Sequence, residues 1–225
     1  MSGAGFIRTS PVTTDFRFDP SRFPMPAGSS LFPARDLDLY ATLASRVGVC
    51  PHGFMLGDLG PDAWSLRKKY WAPRDSTWES FRNSVHLRHP NLPTWESLDQ
   101  GGHTFASLYE LAVYRRLMAL VPAGIELKVH PRLECCAHDP EAWGDFRLTS
   151  LVTGKVSFIE VVGGFDQSFS THTRVQCERQ AETLRRLHRY PAHYRPILIF
   201  KDMVCSPELR DAAIRQALAL IGQNT

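Results

Sequence analysis

Three acidic residues stand where they can do chemistry. They are Glu110 in a helical stretch, Asp145 directly after Gly144, and Glu160 inside Val156-Ser-Phe-Ile-Glu-Val-Val162. Carboxylates are hard oxygen ligands. One or two of them, with waters and phosphate oxygens, complete the octahedron of Mg²⁺ or Mn²⁺. A cation held that way polarises a phosphodiester and lowers the pKa of a bound water. The bland alternatives are real: a lone helical Glu is ordinarily solvated, and an Asp after Gly is ordinarily a turn residue. Glu160 is harder to dismiss, because a carboxylate in an apolar strand is costly unless it is paired or coordinates a metal.

The elements that must position these acids follow from pattern. Thr104–Leu120 carries apolar residues at the helical period and is expected to be an amphipathic helix, ended by Gly124. Ile125–Glu134 alternates as a strand does, with Pro131 pointing to an edge or bulge. Asp145–Leu151 and Val156–Val162 read as two strands of a hairpin turned at Thr153-Gly154-Lys155. Alternation puts residues 158, 160 and 162 on one face. A hairpin closed near Gly154 brings Asp145 and Glu160 to the same end of the sheet. Cys135–Glu141 and residues 163–172 are expected loops, and Val175–Tyr190 a second helix. Arg195–Phe200 fits a buried strand and Pro207–Ile221 a last amphipathic helix. The order α-β-β-β-α-β-α implies an α/β domain with a central mixed sheet and helices on both faces.

Upstream the pattern is looser. Residues 1–34 are rich in Pro, Ser, Gly and Phe and read as an extended arm. Within 35–100, a helical and loop region, Leu37–Val47 has helical spacing. Residues 48–61 hold four glycines and two prolines and read as turn or loop. Pro61 opens a short helix, and Pro90 and Pro93 break its continuation. The third segment, 101–225, holds the acids.

The helix Phe105-Ala-Ser-Leu-Tyr-Glu110, a strand, Gly144-Asp145-Phe-Arg-Leu148, a hairpin, Phe158-Ile-Glu160-Val-Val162, a helix and an apolar strand together resemble the PD-(D/E)XK nuclease superfamily. The Ser107-Leu-Tyr-Glu110 helix start is most similar to the endonuclease subunits of heteromeric transposases. The resemblance spans roughly residues 104–202. It implies a restriction-endonuclease-like fold and a metal-dependent DNA endonuclease, cutting duplex DNA at transposon ends beside a transposase partner. It also implies Glu110, Asp145 and Glu160 as ligands of Mg²⁺ or Mn²⁺. One departure stands out: the lysine expected two residues after Glu160 is Val162. Valine can neither activate water nor stabilise phosphorane charge. Either the cationic role has moved, with Arg174, Arg179, Gln180 and Lys201 as candidates, or the domain is a catalytically inactive subunit that binds DNA or a partner.

Charge clusters point the same way. The net charge is +3, too small by itself to argue for nucleic acid. Between 67 and 88, however, Arg67, Lys68, Lys69, Arg74, Arg82 and Arg88 face only Asp75 and Glu79, among Trp64, Trp71 and Trp78, with Trp95 beyond. Such a stretch suits stacking on bases or lining a phosphate backbone, although tryptophans are more often core. The second helix carries Arg174, Arg179, Arg185, Arg186 and Arg189 against Glu178 and Glu182, and Arg195 follows. Directly after the acids, this face suits phosphate contact, while a solvated face is the ordinary alternative.

Other chemistries are less well supported. Cys50-Pro-His52 and Cys135-Cys136-Ala-His138 offer five N/S atoms, but neither has C-x₂-C spacing, leaving a zinc-stabilised interaction protein as a rival reading. Gly163-Gly164 matches neither the P-loop nor the dinucleotide fingerprint. Hydrophobic residues make up 43% and charged residues 22%, which excludes wholesale disorder and collagen-like or coiled-coil architectures. No apolar run approaches the roughly 20 residues that span a bilayer. The first residues lack the apolar core of a secretory signal, and five cysteines without a disulfide framework suggest a reducing, cytoplasmic setting.

Overall fold

The computed structural model describes residues 31–73, 77–92, 99–133, 143–162, 184–185, 187–188, 190 and 195–222. A four-stranded mixed sheet flanked by helices is its centre. Strands β3 (Ile125–Val129), β4 (Phe146–Ser150), β5 (Val156–Val162) and β6 (Ile197–Phe200) lie in that order. The first two pairings are antiparallel and the last is parallel. A parallel pair needs a long crossover, and the chain between Val162 and Ile197 supplies it. Leu184, Arg185, Leu187 and His188 within that connection are helical. The expected β4–β5 hairpin forms, with Gly154 at φ 68° in its turn.

The N-terminal part is more helical than its proline and glycine content suggests. Helix α1 (Ala34–Val47) buries Leu37, Tyr40, Ala41, Ala44 and Val47, a stripe at the helical period. Gly48 ends it in the left-handed conformation. Two short helices follow, α2 (Gly53–Leu56) within the expected loop and α3 (Pro61–Leu66) opened by its proline. A π-helical turn, Arg67–Trp71, continues α3, and α4 (Thr77–Arg88) comes next.

A two-residue hairpin, β1 (Asp99–Gln100) and β2 (His103–Thr104), precedes the helix that carries Glu110. Its loop is Gly101-Gly102, both at positive φ (61° and 79°), which a two-residue hairpin turn of the primed type demands. The hairpin takes Thr104 from the expected helix, so α5 runs from Leu108 to Leu120. Strand β3 likewise ends at Val129 rather than Glu134, because His130 adopts φ 48° ahead of Pro131. After β6 come a short α6 (Lys201–Cys205) and the long α7 (Pro207–Gly222).

The core lies on the sheet face of Phe146, Leu148, Ile159, Val161 and Ile199. It is continuous with Leu111 and Leu117 of α5, Ile214, Ala217 and Ile221 of α7, and Tyr40 and Phe81 of α1 and α4. The opposite face of β5 has a smaller cluster, in which Leu133 and Tyr190 cover Phe158 and Val156. β5 is therefore buried on both sides, which explains its unbroken apolar sequence around Glu160. No helix among the described residues is long and apolar enough to cross a membrane.

Candidate functional site

Asp145 and Glu160 stand together at one end of the sheet, and Glu110, near the start of α5, reaches His130 beside Asp145. Pairing between β3 and β4 continues past the strands: His130 N–H donates to the Asp145 carbonyl at 2.9 Å, and Gly144 N–H to the Pro131 carbonyl at 3.0 Å. On the other side, the Phe146–Ile159 pair sets the register, so Asp145, one residue earlier, stands opposite Glu160. His130, Asp145 and Glu160 thus form a row across three neighbouring chain segments. Glu110, Asp145 and Glu160 expose only 7%, 4% and 3% of their surface. Burial at that level requires donors for each carboxylate.

The donors can be named. Asp145 Oδ2 accepts from Val161 N–H at 2.7 Å, so the side chain extends the ladder where the β4 backbone turns away. Glu160 Oε1 accepts from Asp145 N–H at 3.2 Å. It also accepts from the Tyr190 hydroxyl. Tyr190 is buried and packs edge-on against Phe158, with ring centroids 5.2 Å apart. Gly144 leaves the room for this contact. A Cβ there would come within 2.4 Å of the Tyr190 hydroxyl and 3.3 Å of Glu160 Oε1. Sequence reasoning saw Tyr190 only as the last residue of a helix, and no spacing signal links it to Glu160.

Glu110 is held differently. Ser107 caps α5, its Oγ accepting from Glu110 N–H at 3.2 Å. Glu110 Oε2 reaches back to accept from Ala106 N–H at 3.1 Å and lies 3.4 Å from His130 Nε2. This is close to a capping box, in which the third helical residue's carboxylate returns to the start of its own helix. The Ser-x-x-Glu spacing that suggested an endonuclease helix therefore has a structural use as well. His130, in the left-handed region that non-glycine residues seldom adopt, also packs its ring 5.9 Å from Phe105.

The remaining candidates are placed as follows. Val162 is 3% exposed and packs in the sheet. Lys201 opens α6 and pairs with Asp58 at 3.0 Å. Asp58 also accepts from the Tyr109 hydroxyl, beside Glu110 on α5, and burial, with this bond second, raises the Tyr109 pKa. Lys69 pairs with Asp36 at 3.1 Å, whereas Lys68 lies over the Trp64 ring. Arg185 is helical and exposed. Trp71 and Trp78 belong to the core, leaving Trp64 as the exposed one of the three tryptophans at 64, 71 and 78. Arg174, Arg179, Gln180, Arg186, Cys135, Cys136, His138 and Trp95 lie outside the described residues. Of the zinc candidates, Cys50 is buried with its thiol pushed up to about 12 by desolvation, and His52 Nδ1 accepts from Met55 N–H at 3.3 Å.

Among the described residues no group of three or more His, Cys, Asp or Glu side chains is arranged to hold a metal ion. The donor set still fits one in part. Asp145 and Glu160 supply, from adjacent segments, the two carboxylates that Mg²⁺ or Mn²⁺ accepts when waters and phosphate complete its shell. Glu110 is turned to its helix cap and His130. No family model, no curated protein and no solved structure matches the chain.

Proposed function

We propose that the chain is a metal-dependent DNA endonuclease with a restriction-endonuclease-like fold, in which Asp145 and Glu160 hold Mg²⁺ or Mn²⁺. The observation that carries this reading is the pair itself: two carboxylates buried opposite each other across β4 and β5, at one end of the sheet. The element order, a helix, three antiparallel strands, a connection with helical residues at 184–185 and 187–188, and a parallel strand, supports it. When bound, the cation would polarise the phosphodiester and lower the pKa of the attacking water. The chain's own residues position the ligands. Val161 N–H orients Asp145, Asp145 N–H and the Tyr190 hydroxyl orient Glu160, and Gly144 keeps that space open. For Lys201 to supply the charge that Val162 lacks, it would have to give up Asp58. Transposon ends and a transposase partner remain the substrate and partner class that the Ser107–Glu110 helix start suggests.

A second reading is a catalytically inactive subunit of the same fold that binds DNA or a partner. Val162 in the lysine position favours it, as does the backbone amide that each of the three carboxylates already accepts.

The test is nicking of supercoiled plasmid in Mg²⁺ or Mn²⁺, alongside Mn²⁺ binding followed by electron paramagnetic resonance. The endonuclease reading expects nicking that falls about a thousandfold in Glu160→Gln, the several kcal/mol a metal supplies, with an unchanged melting temperature. Mn²⁺ binding that Glu160→Gln abolishes, without nicking, selects the inactive subunit. Val162→Lys would then raise cleavage if the missing lysine is the reason. No Mn²⁺ binding, or nicking unaffected by both Asp145→Asn and Glu160→Gln, overturns the metal site.

A further inference from the structure

The turn after α3 is built in an unusual way. Tyr70 is buried and the next residue, Trp71, packs half-buried against the same core. Neighbours on an α-helix diverge by about 100°, and a wider turn narrows that step between two bulky rings. The chain provides it as a π-turn, in which Ala72 N–H donates to the Arg67 carbonyl at 2.9 Å. π-turns are rare and concentrate at functional sites.

The consequence lies on the outer side. Arg67, Lys68 and Lys69 follow one another there, and Lys69 is engaged by Asp36. Arg67 and Lys68 instead place their charges on an indole. The Arg67 guanidinium carbon is 4.7 Å, and the Lys68 ammonium 5.7 Å, from the Trp64 ring centroid. Trp64 is 41% exposed, while Ala63 and Leu66 of the same helix point into the core. The result is a partly exposed indole on a helix anchored by Ala63 and Leu66, with two cations packed over its ring.

We propose that Trp64, Arg67 and Lys68 form a docking surface for an unpaired strand of nucleic acid, Trp64 stacking on a base and the two cations meeting flanking phosphates. Charge complementarity selects a polyanion. The indole narrows the choice, because a base offers its face to a side chain only where it is not stacked between neighbours. Within a duplex the cations alone could engage. The inference builds on the nucleic-acid half of the reading above and assigns it a strand type; it uses none of the acids.

The experiment is anisotropy of a labelled unpaired 20-mer against the full chain in EDTA, over a salt series, with duplex of the same length as comparison. Because EDTA removes cutting, the outcome is independent of the metal site. Trp64→Ala weakens binding of the unpaired strand about tenfold, and Trp64→Phe retains most of it. Arg67→Ala with Lys68→Ala lowers the slope of log affinity against log salt by about 1.4. All these side chains lie at the surface, and an unchanged thermal melt verifies folding. The proposal is overturned if Trp64→Ala binds like wild type, if duplex is preferred, or if polyglutamate or phosphatidylserine vesicles compete as well as the oligonucleotide.

Discussion

At the junction of α7 with α1, and at the acid end of the sheet, the protein buries ionisable side chains by opposite means. Arg210, 5% exposed, donates from Nη1 to the carbonyls of Val47 and Val204 at 2.7 and 3.3 Å, and from Nη2 to that of Arg46 at 3.4 Å. It thereby caps the C-termini of α1 and α6, where orphaned carbonyls carry partial negative charge. Its neighbour Asp211 pairs bidentately with Arg116 of α5. Positive charge meets negative charge, and capping with ion pairing accounts for the arrangement except at Arg210 Nε, which makes no hydrogen bond among the described residues and lies 3.7 Å from Asp211 Oδ1. At the sheet end, two carboxylates stand opposite each other, and amide N–H groups and a phenol, which are neutral donors, help to orient them. Like charges set together are costly, and under the proposed function a bound cation would offset that cost.

The sharpest way to break this contrast is to remove one member from each region. Arg210→Ala strips three carbonyls of their donor at once and should cost about 3 kcal/mol, read as a lower urea midpoint. Mn²⁺ affinity measured on the folded fraction should not change. At the acid end, Gly144→Ala drives a methyl into the Tyr190 hydroxyl and should cost about 2 kcal/mol, as overpacking does. It should weaken Mn²⁺ binding as well. Adding Tyr190→Phe removes the clashing oxygen, so the double variant should be more stable than the sum of the singles predicts. Tyr190→Phe alone should lower nicking or Mn²⁺ affinity about tenfold with a smaller loss of stability, because it releases Glu160 from a hydrogen bond to a charged group. Equal losses of stability and of metal affinity in both regions would erase the distinction.

The smallest effect concerns pH. The bond from Arg116 holds the Asp211 carboxyl below the ordinary value of 3.8, against the opposing push of burial. A depressed folded-state pKa contributes stability above the unfolded value that is lost as pH falls through the folded one. The urea midpoint should therefore decline below about pH 4, and Asp211→Asn should flatten that decline. Arg116 is partly exposed, so the contribution is under about 1 kcal/mol.

Much of the architecture was legible because its signals are local. The alternation of β4 and β5, the Gly154 turn between them and the helical period of α1, α5 and α7 each lie within a few consecutive residues. Other local signals went unread. Gly101-Gly102 is the mark of a two-residue hairpin, and Ser107-x-x-Glu110 that of a capping box. The second matters, because it gives Glu110 a structural role beside any chemical one. The lysine sought after Glu160 was a different problem. Lys201 is at the end of β6 as expected, but its partner, Asp58, lies in the N-terminal region that the acid pattern did not reach.

The sequence by itself determined α1, α5, α7 and the β4–β5 hairpin and, through strand parity and turn position, that Asp145 and Glu160 would meet. Periodicity and turn chemistry act over a few residues, so they survive without knowledge of the fold. Only the tertiary structure decided which distant group satisfies each buried or charged side chain: Tyr190 on Glu160 from 30 positions away, Asp36 on Lys69 from 33, and Arg210 on α1 from 163. Those choices depend on which surfaces pack together. The energy of leaving a buried polar group unsatisfied then selects the partner that packing has brought within reach.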